Sequence, residues 1–390
     1  MNILAISVRI PVDGKKGDQV LSFHRLSYLA KHHKVQLVCF GSSVKDADSL
    51  AKLESLGIIV RLIDWNKFLA GIYLLKAIFD DGLPFQCALF QSTAYQKAVL
   101  ECIAEFRPDA VYAVMIRSLV NLVSYSGPLF VDMVDSMGLN FSRRVAMERG
   151  LKRFVYELEY QRVSAYEQKV AKIATCSFVV SALDQKFIGN ENVRALPLGF
   201  NVEQFYRKPD GGLNPVIVFS GNMNYKPNVD AVLWFYSQCW NTLKAALSDI
   251  CWVIAGSNPT SEVLALRSDH AITVTGRVPS VAAVINASRV SIAPMQSGSG
   301  MQFKILEAMA CGVPVVTTSL GLGDIGAEQE RDVVIADTAA TFIKAVLTLL
   351  QSPDLRESIG TAGFNYVIKH HSWDALNAEF EQATFATLKQ

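Results

Sequence analysis

The chain has 390 residues, 51% hydrophobic and 19% charged, a composition that supplies about two α/β cores of 150–200 residues each and excludes a disordered chain. Its 37 lysines and arginines nearly cancel 36 aspartates and glutamates, so no basic field is present to recruit nucleic acid. The greasiest segment, FLAGIYLL at 68–75, is bounded by Lys67 and Lys76 and falls far short of the roughly 18 apolar residues that a membrane span requires.

Apolar runs of strand length alternate with longer amphipathic runs from the start. NILAISV leads into a helix expected over 18–32, KVQLVCF into a helix over 46–56, and IIVRLI into a helix over 66–79. Such alternation predicts βαβ units in a parallel sheet. It continues with DAVYAV (109–114), PLFVDMV (128–134), one long charged helix near 145–172, and CSFVVS (176–181). Prolines, glycines and polar residues without periodicity then predict a linker at 197–214, between a first domain over 1–196 and a second over 215–372. Alternation restarts with VIVFSG, a helix over 228–246, ICWVIAG, a short helix near 261, AITVTG, a helix near 281, VSIAP, a helix over 301–311, and VPVVTT. Helices near 339–350, 354–369 and 373–388 exceed what the second sheet needs, so the last, at about 373–390, is expected to cross back to the first domain. The fold class is α/β: two Rossmann-like, doubly wound parallel-sheet domains facing across a cleft lined by strand carboxyl ends.

Seven cysteines, an odd number with no CxxC pair and no His at ligand spacing, predict reduced core residues, no metal site and a cytosolic setting. Met1-Asn2-Ile3-Leu4 passes straight into a strand-like run without a signal-peptide n-region.

Candidate site residues lie where strands meet glycine loops. After VSIAP, Gly298, Ser299 and Gly300 permit close backbone approach, and a helix expected to begin at Met301 turns its free N–H groups toward that loop, a preformed anion site. Lys304 lies in the first turn, where a cation opposes the helix dipole unless an anion binds. Glu307 shares its face and is a suitable bidentate acceptor for a ribose diol. The alternative is an exposed Lys/Glu pair. Gly14, Gly17 and Asp18 follow the first strand, and Gly221, Asn222 and Lys226 follow the first strand of the second domain; each loop is a ligand contact or a tight turn. GLGDIG (321–326) matches GxGxxG literally, but a charged turn and a strand follow it, so no dinucleotide site is expected there. Asp132 and Asp135 end a buried strand as base, acceptor ligand or helix cap. Arg143, Arg144, Arg149, Lys152, Arg153 and Arg162 stud the charged helix as a surface for anionic headgroups or an anionic acceptor, or as a solvated face offset by Glu148, Glu157 and Glu159.

GSGMQFKILEAMACGVPVVTT resembles the nucleotide-sugar motif of glycosyltransferase family 4, of the GT-B fold, and LPLGFNVEQF resembles that family's interdomain segment. RIPVDGKKGDQVLSFHRLSYLAKHHKVQLVCF and FSGNMNYKPNVDAVLWF resemble a bacterial subgroup found with exopolysaccharide systems. The resemblance implies that Glu307 holds the donor ribose and Lys304 the diphosphate, that Gly221 and Asn222 lie across the phosphates, and that Arg277 and Val278 lie beside the nucleobase. It implies a retaining, metal-independent hexosyl transfer without a cofactor, from a UDP- or GDP-sugar to a saccharide or lipid-linked acceptor. The setting it implies is cytoplasmic, at the inner membrane face, with peripheral membrane contact. Ser299 stands where the family's first Glu is usual, and Asp132 or Asp135 where many members place a His. A nucleotide-sugar epimerase and an inactive scaffold subunit are the alternatives on the same fold.

Overall fold

A computed structural model of the chain describes residues 1–13, 17–79, 82–207, 215–298 and 301–389. It divides into two units, Met1–Gly199 with Leu376–Gln390, and Phe200–Ala375.

The first unit runs β1 (Asn2–Ser7), α1 (Gly17–His32), β2 (Lys34–Phe40), α2 (Ala47–Ser55), β3 (Ile59–Ile63), α3 (Lys67–Phe79), α4 (Phe85–Ala88) and α5 (Thr93–Phe106). It continues with β4 (Ala110–Val114), β5 (Leu129–Val134), α6 (Met137–Met147), α7 (Gly150–Ile173), β6 (Cys176–Val179), α8 (Ala182–Ile188) and β7 (Val193–Ala195). All seven strands are parallel, in the order β3-β2-β1-β4-β5-β6-β7. β4 and β5 are buried at every position, because helices cover both faces of such a sheet and leave no solvent side to alternate toward.

The long charged helix expected near 145–172 is present as α7, starting five residues later, and the unexpected α6 before it makes a helical hairpin with it. α6 ends at Met147, Glu148 and Arg149 are extended, and Gly150 turns the chain at φ 61°. Glu and Arg are good helix formers, which hides the break from periodicity; the glycine is its signal. Glu167 of α7 closes the hairpin by accepting hydrogen bonds from Ser136 Oγ (2.9 Å) and Met137 N (2.6 Å), so a carboxylate satisfies free N–H donors at the α6 N-terminus.

The second unit runs β8 (Val216–Ser220), α9 (Lys226–Phe235), α10 (Asn241–Ala246), β9 (Cys251–Ala255), α11 (Ser261–Ala265), β10 (Ile272–Gly276), α12 (Val281–Asn286) and β11 (Val290–Ala293). It ends with α13 (Phe303–Ala310), β12 (Val315–Thr317), α14 (Ser319–Leu322), β13 (Val334–Ile335), α15 (Ala339–Gln351) and α16 (Pro353–His371). Its parallel sheet is ordered β10-β9-β8-β11-β12-β13. In both sheets the order reverses beside the unit's first strand, at β1/β4 and β8/β11, and this switch point is where open α/β sheets bind ligands.

α17 (Trp373–Ala383) begins in the second unit and belongs to the first from Leu376 onward. Arg25 of α1 anchors it: Nη1 donates to Leu376 O and to Asn377 Oδ1, both at 3.0 Å, and the guanidinium lies 4.3 Å from the Phe380 ring centroid. Arg25 Nε lies 3.5 Å from Asp132 Oδ2. Removing one partner of a buried pair strands the other charge, so Arg25→Ala is expected to cost about 3–5 kcal/mol, read as a lowered denaturant midpoint with protease sensitivity appearing after residue 375.

Candidate functional site

The second unit's switch point is built around a backbone contact. Gly221 follows β8 at φ 154° and Gly256 follows β9 at φ 152°. A Cβ on Gly256 would sit 1.6 Å from the Gly221 carbonyl oxygen, so the approach of the two loops excludes every side chain. Asn228 of α9 donates from Nδ2 to Asn222 O at 2.9 Å and fixes the loop from below. On the other side of the switch point α13 begins at Phe303, two residues later than expected, and its N-cap residue Gln302 makes no side-chain capping bond among the described residues. Its first N–H groups are therefore available to an anion.

Lys304 is buried in the first turn of α13. Its Nζ donates to Gln302 Oε1 at 2.7 Å and lies 5.6 Å from the Phe219 ring centroid. Burial lowers its pKa to about 8, against the opposing pull of Glu307. Glu307 is half-buried; burial raises its carboxyl, while Lys304 and a Ser220 hydroxyl 3.5 Å away counter that shift. Each charge is held at a desolvation cost that the other only partly offsets. A bound anion favours the protonated amine, so anion binding above the free pKa must take up a proton. Nucleoside diphosphate affinity is accordingly expected to fall as pH rises past about 8, by up to about tenfold per unit. Calorimetry in buffers of different ionisation enthalpy reads the linked proton.

A cavity of about 610 Å³ opens over these loops, lined by Ser220, Gly221, Asn222, Ala255, Gly256, Ser257, Asn258, Arg277, Val278, Val281 and Glu307. That volume is within the usual range for small-ligand sites, about 300–1,000 Å³. Five residues picked from the sequence, Gly221, Asn222, Arg277, Val278 and Glu307, thus meet on one wall. Lys304 lies just beneath, with Cε 3.4 Å from where a Cβ on Gly221 would stand. Gly298, at φ 114°, abuts Pro227 of α9, and Met301 packs against the core. Ser299 and Gly300 lie outside the described residues. Lys226 is not brought to the cavity wall: it is exposed and pairs with Asp230 one turn along α9. Gly256, Ser257 and Asn258 were not singled out in the sequence, yet their signal is visible, since ICWVIAG ends in a glycine as VIVFSG and AITVTG do.

The first unit separates the two aspartates of FVDMVDS. Asp132 is buried at 2% exposure against Arg25 and accepts a hydrogen bond from Tyr112 Oη at 3.4 Å. It holds Arg25, the anchor of α17. Asp135 is half-buried beyond the strand end, its carboxyl raised first by burial and then by the charge of Asp184, and Asn140 Nδ2 approaches it at 3.5 Å. Asp18 is paired with Arg9 at 2.7 Å, Gly17 opens α1 with free space around it, and Gly14 lies outside the described residues. Sequence reading missed Arg117, just after β4. Its Nε has no hydrogen-bond partner among the described residues, and burial and then Arg9 lower its pKa. Met115 at φ 62° and Val134 at φ 69° end β4 and β5. Left-handed backbone at a β-branched residue costs about 1–3 kcal/mol and clusters at functional sites; no residue type announces it.

Residues 214–352 match the family described as Glycosyl transferases group 1. An uncharacterized 44.6 kDa protein in the cps region of Klebsiella pneumoniae is 23% identical over 164 residues, 40% of this chain and 42% of that relative. Among solved structures, Anabaena HepE in complex with UDP is similar at a TM-score of 0.65 and 12% identity, over 99% of this chain and 100% of that one. A glycosyltransferase from Rickettsia africae is similar at 0.64 and 12%, over 100% and 98%. The fold is GT-B: two Rossmann-like α/β units.

Proposed function

We propose that the chain is a retaining, metal-independent glycosyltransferase that moves a hexosyl group from a UDP- or GDP-sugar to a saccharide or lipid-linked acceptor in cell-surface polysaccharide synthesis. Its setting is the cytoplasmic face of a membrane. The observation that carries this reading is the cavity where Gly221 and Gly256 touch, with Glu307 on its wall and the Lys304 ammonium buried beneath. HepE, of the same fold, was solved with UDP.

In this reading the nucleobase lies beside Arg277 and Val278, and Glu307 accepts both ribose hydroxyls. Gly221, Asn222 and Gly298 line the diphosphate path. As the anomeric C–O bond breaks, charge gathers on the departing diphosphate. The Lys304 ammonium and the uncapped α13 N-terminus stabilise that charge, with no metal needed. A preorganised cation in a water-poor site acts more strongly on the transition state than on the substrate, whose charge is more dispersed. Asp135, Gly17 and Asp18 of the first unit are assigned to the acceptor; its hydroxyl forms the new anomeric C–O bond on the face that the diphosphate leaves and gives its proton to the departing diphosphate, which retains the configuration.

The test is turnover of UDP- and GDP-sugars with a panel of saccharide and lipid-linked acceptors in the presence of EDTA, with the anomeric configuration of the product read by NMR. Retained configuration with EDTA present supports the proposal. Inversion, metal dependence, or epimerised donor formed without acceptor overturns it.

A further inference from the structure

α3 and the tip of the α6–α7 hairpin leave apolar surface without a partner. α3, KFLAGIYLLKAIF, buries only Ala70 and Ala77, while Phe68 is 77% and Phe79 88% exposed. At the hairpin tip Met147 is 84%, Leu151 78% and Phe154 66% exposed. Scattered apolar residues on a surface are ordinary, whereas large contiguous patches mark an interaction.

The end of α3 is tied to the middle of α7. Arg162 donates to Ala77 O at the end of α3 and to Leu83 O, and Glu159 accepts from Phe85 N (2.8 Å) and Gln86 N (3.0 Å) at the start of α4. Both side chains are buried, so they are lost from the basic surface that the sequence suggested and act as a clasp. Residues 151, 155, 159 and 162 fall on one stripe of a helix. Leu151 and Val155 therefore continue the clasping face outward, about 12 and 6 Å beyond Glu159, toward the hairpin tip.

Charge selects the occupant. Arg143, Arg144, Arg149, Lys152 and Arg153 are all exposed around the tip, and among the described residues of the hairpin tip Glu148 and Glu157, both half-buried, oppose them. A cationic rim around exposed aromatic and aliphatic side chains fits an anionic lipid surface, where apolar burial and attraction to headgroups add. No helix among the described residues is long and apolar enough to cross a membrane.

We infer that the α6–α7 tip docks on a bilayer rich in anionic lipid, inserting Leu151 and Phe154 to the acyl boundary. This deepens the membrane setting proposed above and assigns its contact to the first unit, whereas the nucleotide cavity belongs to the second.

The experiment is cosedimentation of the full chain with phosphatidylcholine vesicles and with vesicles containing phosphatidylglycerol, for the parent, Leu151→Ser/Phe154→Ser and Lys152→Glu/Arg153→Glu. UDP titration and sedimentation velocity are run on each protein. Binding to anionic vesicles that weakens about tenfold or more in both variants, and with added salt, while UDP affinity holds, supports the inference. Equal binding to both vesicle types, no vesicle binding, or variants that dissociate an oligomer without changing vesicle binding overturns it and points, in the last case, to a protein interface. Binding of neither UDP nor GDP by the parent contradicts the donor reading and leaves the vesicle result standing.

Discussion

Glu307→Ala and Lys304→Met are each expected to lose donor affinity by more than tenfold and most turnover, because a charged contact to a desolvated ligand is worth about 2–5 kcal/mol. Their effects on stability should differ from their effects on binding. Lys304 is held charged in a buried place at a desolvation cost that lowers its pKa to about 8. Replacing it with an uncharged side chain of similar length removes that cost. Because it also removes the charge that offsets the burial of Glu307, the thermal stability of Lys304→Met is expected to stay near the parent's while nucleotide binding collapses. Glu307→Ala removes a half-buried carboxylate whose ionisation burial already disfavours, so its folded state should also survive. Melting curves beside nucleotide titrations and steady-state rates check both variants. Near-normal turnover in either one removes that residue from the site.

Gly256→Ala carries the second large effect, and it acts through the backbone. A methyl at this position would lie 1.6 Å from the Gly221 carbonyl oxygen and 2.7 Å from its carbon. Backbone cannot swing aside as a flexible side chain does, so the β8 and β9 loops must separate. Strain at φ 152° adds to the collision. Together they are expected to cost about 3 kcal/mol or more and to open the diphosphate side of the cavity. Gly71→Ala is the matched comparison. It lies within α3 with nothing within 4 Å of the added carbon, so a gain of up to about 1 kcal/mol is expected there. A Gly256→Ala protein that melts and binds nucleotide like the parent would show that the loops do not need their contact.

What the sequence made legible follows from the physics of each signal. The alternation that predicted parallel sheets is strong because buried strands such as VYAV and FVDMV have no solvent face and read as unbroken apolar runs. The Lys304–Glu307 pair was legible because three-residue spacing fixes a shared helix face and the flanking AMACGVPVV has to be buried. The α6–α7 break was hidden because Glu148 and Arg149 favour the helix they interrupt. Asp132 and Asp135, three residues apart on one short apolar run, looked equivalent; strand direction and the Arg25 pairing, which depends on a residue more than a hundred positions away, put them in different environments. Lys226 shows the same limit, since a lysine near a glycine loop reads alike whether it faces a phosphate or Asp230. Gly256 could have been found by comparing the ends of β8, β9 and β10, each closed by glycine.

Isothermal titration of UDP and GDP into the parent and into Glu307→Ala tests the donor site most directly. The account predicts saturable binding of at least one of the two at one site per chain, weakened more than tenfold by the substitution while the fold is retained. No binding of either nucleotide, or equal affinity in parent and variant, would contradict it.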